Sequence, residues 1–201
     1  MEVKEKNTGA GTRSTGKAMI KQRFSAKRIA VMALFVAISY LVSFLEIPLF
    51  PAANFLELDF GNVFILLIGF LLGPVEGVIV CVLKEGLRAI SGSGSGGVGE
   101  LANILVTSAY ILFPTVLYRY KKGIKAVALS LGVACVIGTL VALPVNRFIN
   151  FPLYMGAGAS QAFASLWGYI LAFNLIKTLL VSVLAVILYK RLSYLFKKMK
   201  I

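Results

Sequence analysis

Apolar runs at about residues 29–45, 60–83, 101–118, 124–145 and 165–189 dominate this chain. Each is near the ~17–25 residues that carry a helix across a bilayer. A chain made of such runs satisfies its backbone in lipid by being helical along each of them. Composition agrees, with 59% hydrophobic and 14% charged residues among 201, where a soluble domain averages about 25% charged. The expected fold class is an all-α integral membrane protein.

The second run is broken by Gly73-Pro74-Val75-Glu76-Gly77 and stays apolar until near Ile90, so it reads as one helix or as two short ones meeting at a turn. Loop charge decides between them, because cytoplasmic loops collect Lys and Arg. The basic connections are the N-terminal tail with Lys27 and Arg28, the loop Arg119 to Lys125, and the C-terminal Lys190, Arg191, Lys197, Lys198 and Lys200. Only an even number of crossings puts all three on one side, so six transmembrane helices with both termini cytoplasmic are expected. Residues 1–27 read as a disordered basic tail and 28–201 as the membrane domain. The outer face then receives Glu46 to Asp59, the glycine-rich Ser91 to Gly99, and Asn146 to Ser165.

Several function classes lack their parts. The chain has no His, and its eight carboxylates all lie at or before Glu100, which argues against a zinc site, a catalytic triad or a histidine proton relay. Cys81 and Cys135 sit in apolar runs and read as small buried residues. The net charge of +13 lies in tails and short loops, a pattern of membrane topology and not of nucleic-acid binding. No G-x-x-x-x-G-K-[ST] occurs, so any ATP hydrolysis must be supplied by a partner. The stretch SGSGSGGVGELAN (Ser91 to Asn103) contains G-x-G-x-x-G twice, but a membrane span precedes it and no acid follows Glu100. A dinucleotide fingerprint needs a strand before, a helix after and an acid about twenty residues on. The glycines therefore read as an outer loop that turns into the next helix.

The polar residues inside the spans carry the functional signal. Lys177 lies near the middle of the last run, where a charge costs about 2.5–3.5 kcal/mol on insertion scales, and Asn174 is one helical turn before it. Glu100, Asn103 and Thr107 recur on one face of the fourth span, and Asn146 ends the fifth. Two readings are open: Glu100 and Lys177 form an ion pair that locks helices together, or these groups line a polar cavity near the outer face. Amides, one carboxylate and one amine suit a neutral, hydrogen-bonding ligand better than a metal ion. In the first span, Ala33-x-x-x-Ala37 lets another helix approach closely, whether within the bundle or from a partner.

FLELDF at 55–60, GFLLGPVEGVIVCVLKEGLR at 69–88, GVGELAN at 97–103, ALPVNRFINFPLYM at 142–155 and FNLIK at 173–177 together resemble the substrate-binding S component of energy-coupling factor (ECF) vitamin transporters, most closely the riboflavin branch. The resemblance implies capture of riboflavin, or a related small molecule, from outside a cell membrane that the chain crosses several times. It also implies partners: a transmembrane coupling protein and two ABC ATPases that use the ATP. The chain itself would need no cofactor and catalyse nothing. On the same resemblance, Asn174, Lys177, Asn103, Glu100 and Asn146 are the substrate-binding candidates, and Ala33 and Ala37 meet the coupling protein. Gly61-Asn62-Val63-Phe64 departs from the branch, whose members have a small residue, Asp, an apolar residue and Pro there. An S component for another vitamin or precursor is the alternative within transport; an integral-membrane enzyme or a structural bundle is the alternative outside it.

Overall fold

The computed structural model describes residues 25–92, 94–121 and 123–198; the expected disordered tail therefore lies almost wholly outside the described residues. Helix α1 spans Ala26–Val42. A short hairpin follows, with β1 at Glu46–Pro48 and β2 at Glu57–Asp59 paired antiparallel so that Glu46 faces Asp59 and Pro48 faces Glu57. Then come α2 (Gly61–Leu71), α3 (Pro74–Ile90), α4 (Val98–Tyr120) and α5 (Ile124–Val145). A π-helical turn at Asn146–Asn150 leads into α6 (Phe151–Met155) and the 40-residue α7 (Ala159–Lys198). The fold is helical as expected, with the hairpin as an addition.

The second apolar run forms two helices. Gly73 takes φ 135°, a conformation open to glycine and strained for other residues, and Pro74 starts α3 at a position where its missing N–H costs nothing. The two helices then pack closely, since a Cβ on Gly77 would come within 3.1 Å of the Gly69 Cα. Helix α2 is the centre of the molecule. Beyond Asn62 in its first turn it is apolar on every side, and it is enclosed by α1, α3, α4 and α7, so that Ile65, Leu66, Leu67 and Ile68 are fully buried.

Outward-facing side chains on the surrounding helices are as apolar as the core. Leu129, Leu140, Val183 and Ile187 are all more than half exposed, the pattern of a bundle solvated by hydrocarbon instead of water. Among the described residues, two helical stretches, Val98–Tyr120 and Ile124–Tyr189, are long and apolar enough to cross a membrane.

The interior divides into two apolar clusters. One joins Met32, Phe35, Ile65 to Ile68, Val80, Ile111, Leu131 and Val181. The other joins Leu56 and Leu58 of the hairpin region to Val106, Ala142, Phe151, Ile170 and Phe173. Helices α4, α5 and α7 pass through both.

Candidate functional site

Between the second cluster and the ends of the helices lies a cavity of about 490 Å³, within the ~300–1,000 Å³ of small-molecule sites. The hairpin region contributes Glu46, Phe55, Leu56, Glu57 and Asp59, and the last turns of α3 contribute Lys84, Glu85 and Arg88. Ser95 precedes α4, which adds Glu100, Asn103 and Val106; Asn146 and Asn150 come from the π turn, and Phe173, Asn174 and Lys177 from α7. The lining is mostly polar and charged, with Phe55, Leu56, Val106, Tyr154 and Phe173 as its apolar and aromatic faces.

All of the candidates Glu100, Asn103, Asn146, Asn174 and Lys177 line this one cavity. The spacing within α4 and α7 explains their convergence, because residues three and four apart share a helical face. Their bonding differs from a Glu100–Lys177 lock. Lys177 Nζ donates to Asn103 Oδ1 at 2.9 Å, and Glu100 accepts from the Ser95 hydroxyl. Nor do Asn174 and Lys177 bond each other: Asn174 Nδ2 donates to the Ile170 carbonyl of its own helix at 2.8 Å. With one of its three N–H groups on Asn103, Lys177 keeps donors for a ligand.

Asn103 is the hub of the floor. Its Oδ1 also accepts from Thr107 Oγ1 at 3.1 Å and Asn62 Nδ2 at 3.3 Å, and its Nδ2 donates to Glu85. From there an ionic cluster continues, which the sequence reading did not single out. Lys84, 1% exposed, is held by Asp59 and, at 2.7 Å, by Glu85. Asp59 in turn accepts the Gly61 N–H, which ties the end of β2 to the start of α2. Higher in the cavity, Arg88 pairs with Glu46 of β1. The insertion cost that singles out Lys177 applies equally to Lys84, so Lys84, Glu85 and Arg88 were detectable as charges inside an apolar run. Their bonds to Asp59 and Glu46 cross 25 and 42 residues, and nothing local announces them.

The π turn supplies the opposite wall. Pro152 has no N–H to close the preceding turn, and the helix there widens to the π form, which recurs at functional sites. Asn146 Nδ2 donates to the Ala142 carbonyl at 2.8 Å and Asn150 Nδ2 to Asn146 Oδ1 at 2.9 Å. Asn150 Oδ1 is buried with no hydrogen-bond partner.

Outside the spans, burial raises the Glu57 carboxyl above the usual carboxylate range. The neighbouring Glu46 adds to the shift through its charge and a hydrogen bond, Arg88 offsets part of it, and Glu100 raises it further. Among the described residues, no group of three or more Cys, Asp or Glu is arranged to hold a metal ion.

Residues 27–189 match the family described as "ECF transporter, substrate-specific component". Riboflavin transporter RibU of Staphylococcus aureus (strain TCH60) is 30% identical over 177 residues, covering 86% of this chain and 93% of that protein. Riboflavin transporter FmnP of Bacillus subtilis (strain 168) is 25% identical over 175 residues, covering 83% and 92%. A solved chain described as "Structure and mechanism of the S component of a bacterial ECF transporter" superposes with a TM-score of 0.74 at 32% identity, covering 85% of this chain and 98% of that one.

Proposed function

The chain belongs to the family of ECF transporter substrate-specific components, transport proteins and not enzymes, and from that membership we propose that its cavity captures riboflavin at the outer face of a cell membrane. The observation that carries this reading is the meeting of Asn103, Asn174 and Lys177 with Phe173 and Val106 on one cavity of about 490 Å³. Riboflavin has an apolar tricyclic ring, a uracil-like edge of carbonyls and N–H, and a ribityl chain of hydroxyls. Lys177, which Asn103 holds in place, and the amide of Asn174 match the edge, since an amide both donates and accepts. Phe173 and Val106 match the ring. Asn146 and Glu100 stand further along the cavity wall for the hydroxyls.

In this reading the chain crosses the membrane six times with both termini cytoplasmic, and the hairpin faces outside. Transport inward is driven by two ABC ATPases through a transmembrane coupling protein. Helix α1 offers that protein a smooth strip, because Ala33 and Ala37 are both exposed one turn apart, and small residues let helices approach closely in lipid.

Detergent-purified protein, titrated with riboflavin, tests the assignment. Quenching of flavin fluorescence at a ratio of one flavin per chain, with yellow protein on gel filtration, is expected. Colourless protein that leaves flavin fluorescence unchanged would transfer the site to another vitamin or precursor.

A further inference from the structure

Past the floor of the cavity, on the side away from the hairpin, the bundle holds a second and much smaller pocket of about 10 Å³. Lys177, Asn174 and Val106 line both spaces, so Lys177 stands in the partition between them. Asn62 from the first turn of α2 and Thr107 of α4 line the small pocket as well.

Asn62 is 2% exposed. Its Nδ2 donates to Asn103 Oδ1 at 3.3 Å, but its own Oδ1 is buried with no hydrogen-bond partner. A buried acceptor without a donor is costly. Turning the amide over does not help, since it would set an oxygen against Asn103 Oδ1 in place of the nitrogen. That same Asn103 oxygen accepts from Lys177 Nζ at 2.9 Å and from Thr107 Oγ1 at 3.1 Å. Three donors thus converge on one atom, and the Asn62 amide, the ammonium and the Thr107 hydroxyl are neighbours around the pocket.

The pocket is at the lower end of the ~10–15 Å³ that admits one water, and a buried water needs two to four polar partners. These are at hand: Lys177 as donor, and Asn62 Oδ1 and Thr107 Oγ1 as acceptors. A cation there would meet the ammonium and an anion would meet the Asn62 oxygen, so water is the occupant that fits.

We propose that Asn62 is a positioning residue for Lys177, acting through one buried water that accepts from the Lys177 ammonium and donates to Asn62 Oδ1. With one N–H on Asn103 and a second on this water, the flexible side chain is held with its third N–H toward the main cavity. Less rotamer freedom is then lost when the ligand binds. The role of Lys177 toward the ligand rests on the riboflavin reading, whereas the water site does not.

A crystallographic map of the full-length protein without flavin, fine enough to show ordered waters, is expected to place one water within hydrogen-bonding distance of both Asn62 Oδ1 and Lys177 Nζ. In fluorescence titrations Asn62→Ala should weaken riboflavin binding about three- to tenfold, the worth of one such hydrogen bond. In a Lys177→Met background the same change should cost less than about twofold, because the two residues act as a unit. A map that resolves both side chains with no water between them overturns the proposal. So does an Asn62→Ala effect of equal size with and without Lys177, which would make Asn62 a packing residue. Failure of the unaltered protein to bind riboflavin would strike the function proposed above and leave the map to decide the water. The map also decides if Asn62→Ala does not fold.

Discussion

The same three helices, α4, α5 and α7, behave differently at their two ends. Where they join the cluster around α2 they are packed tightly: a Cβ on Gly138 would meet Tyr110 at 3.1 Å and Thr178 at 3.3 Å, and Ile111 and Ala185 are fully buried. At the other end they part around the cavity, and the gap is closed by a hairpin of two three-residue strands, a glycine-rich turn and a π turn. The contrast shows how polar groups are accommodated in such a bundle. Near the tight end Thr178 Oγ1 and Ser182 Oγ bond within their own helix, to the carbonyls of Asn174 and Thr178 at 2.8 and 2.7 Å, and the Tyr110 hydroxyl crosses from α4 to Ser182. At the open end Asn146 and Asn174 bond to their own helices, but Lys177, Asn103 and Lys84 bond between elements, from α7 to α4, α4 to α3 and α3 to the hairpin.

Weakening each end in turn tests the contrast. Lys84→Met leaves Asp59 and Glu85 buried together without their cation, a loss of about 3–5 kcal/mol. Its detergent-solubilised melting temperature should fall further than that of Ile65→Ala, which opens a cavity costing about 2–5 kcal/mol in the regular cluster. The two should also differ in kind, with ligand affinity surviving in folded Ile65→Ala protein and lost in Lys84→Met.

Lys177→Met comes next in size. Removing a charged donor to the ligand should weaken riboflavin binding by about 10- to 100-fold, the equivalent of about 1.5–3 kcal/mol. Melting of the free protein should be unchanged or improved, because the substitution relieves a partly buried cation whose one hydrogen bond is to a neutral amide. Lost stability at unchanged affinity would make Lys177 a structural lock instead.

The smallest effect concerns pH. The Glu57 carboxyl is raised by burial and by Glu46, with Glu100 adding and Arg88 opposing. The folded hairpin therefore holds this proton more tightly than the unfolded chain. Its contribution to stability is full below the ordinary carboxylate value and is lost as pH rises through the raised one. Acidifying from neutral should slightly raise the melting temperature of the detergent-solubilised protein. A melting temperature that falls on mild acidification would contradict this reading of Glu57.

Much of this was legible from local sequence. The break at Gly73-Pro74 follows from backbone chemistry alone. Lys177, Asn174, Asn103 and Glu100 stood out because polar groups in apolar helices need a reason, and helical spacing put each pair on one face. The hairpin was not legible. Its strands Glu46–Pro48 and Glu57–Asp59 are too short to show alternation, and Pro48 and Pro51 argue for a loop. Its pairing is fixed instead by Lys84 and Arg88, distant residues whose partners emerge only when α3 lies against it. Asn150 was likewise hidden, since its orphaned oxygen depends on the π turn.

Helix α2 has 11 residues, so it rises about 16 Å, roughly half the ~30 Å of a bilayer's hydrocarbon. On the six-span reading proposed above, the rest of the thickness along that line falls to the hairpin and the cavity beneath it, and the barrier to ions there would be side chains held by Lys84 and Arg88 and not a helix with a closed backbone. Ease of ligand entry and tightness against leakage are set by the same contacts, and a substitution that opens the site faster should also make the membrane more permeable.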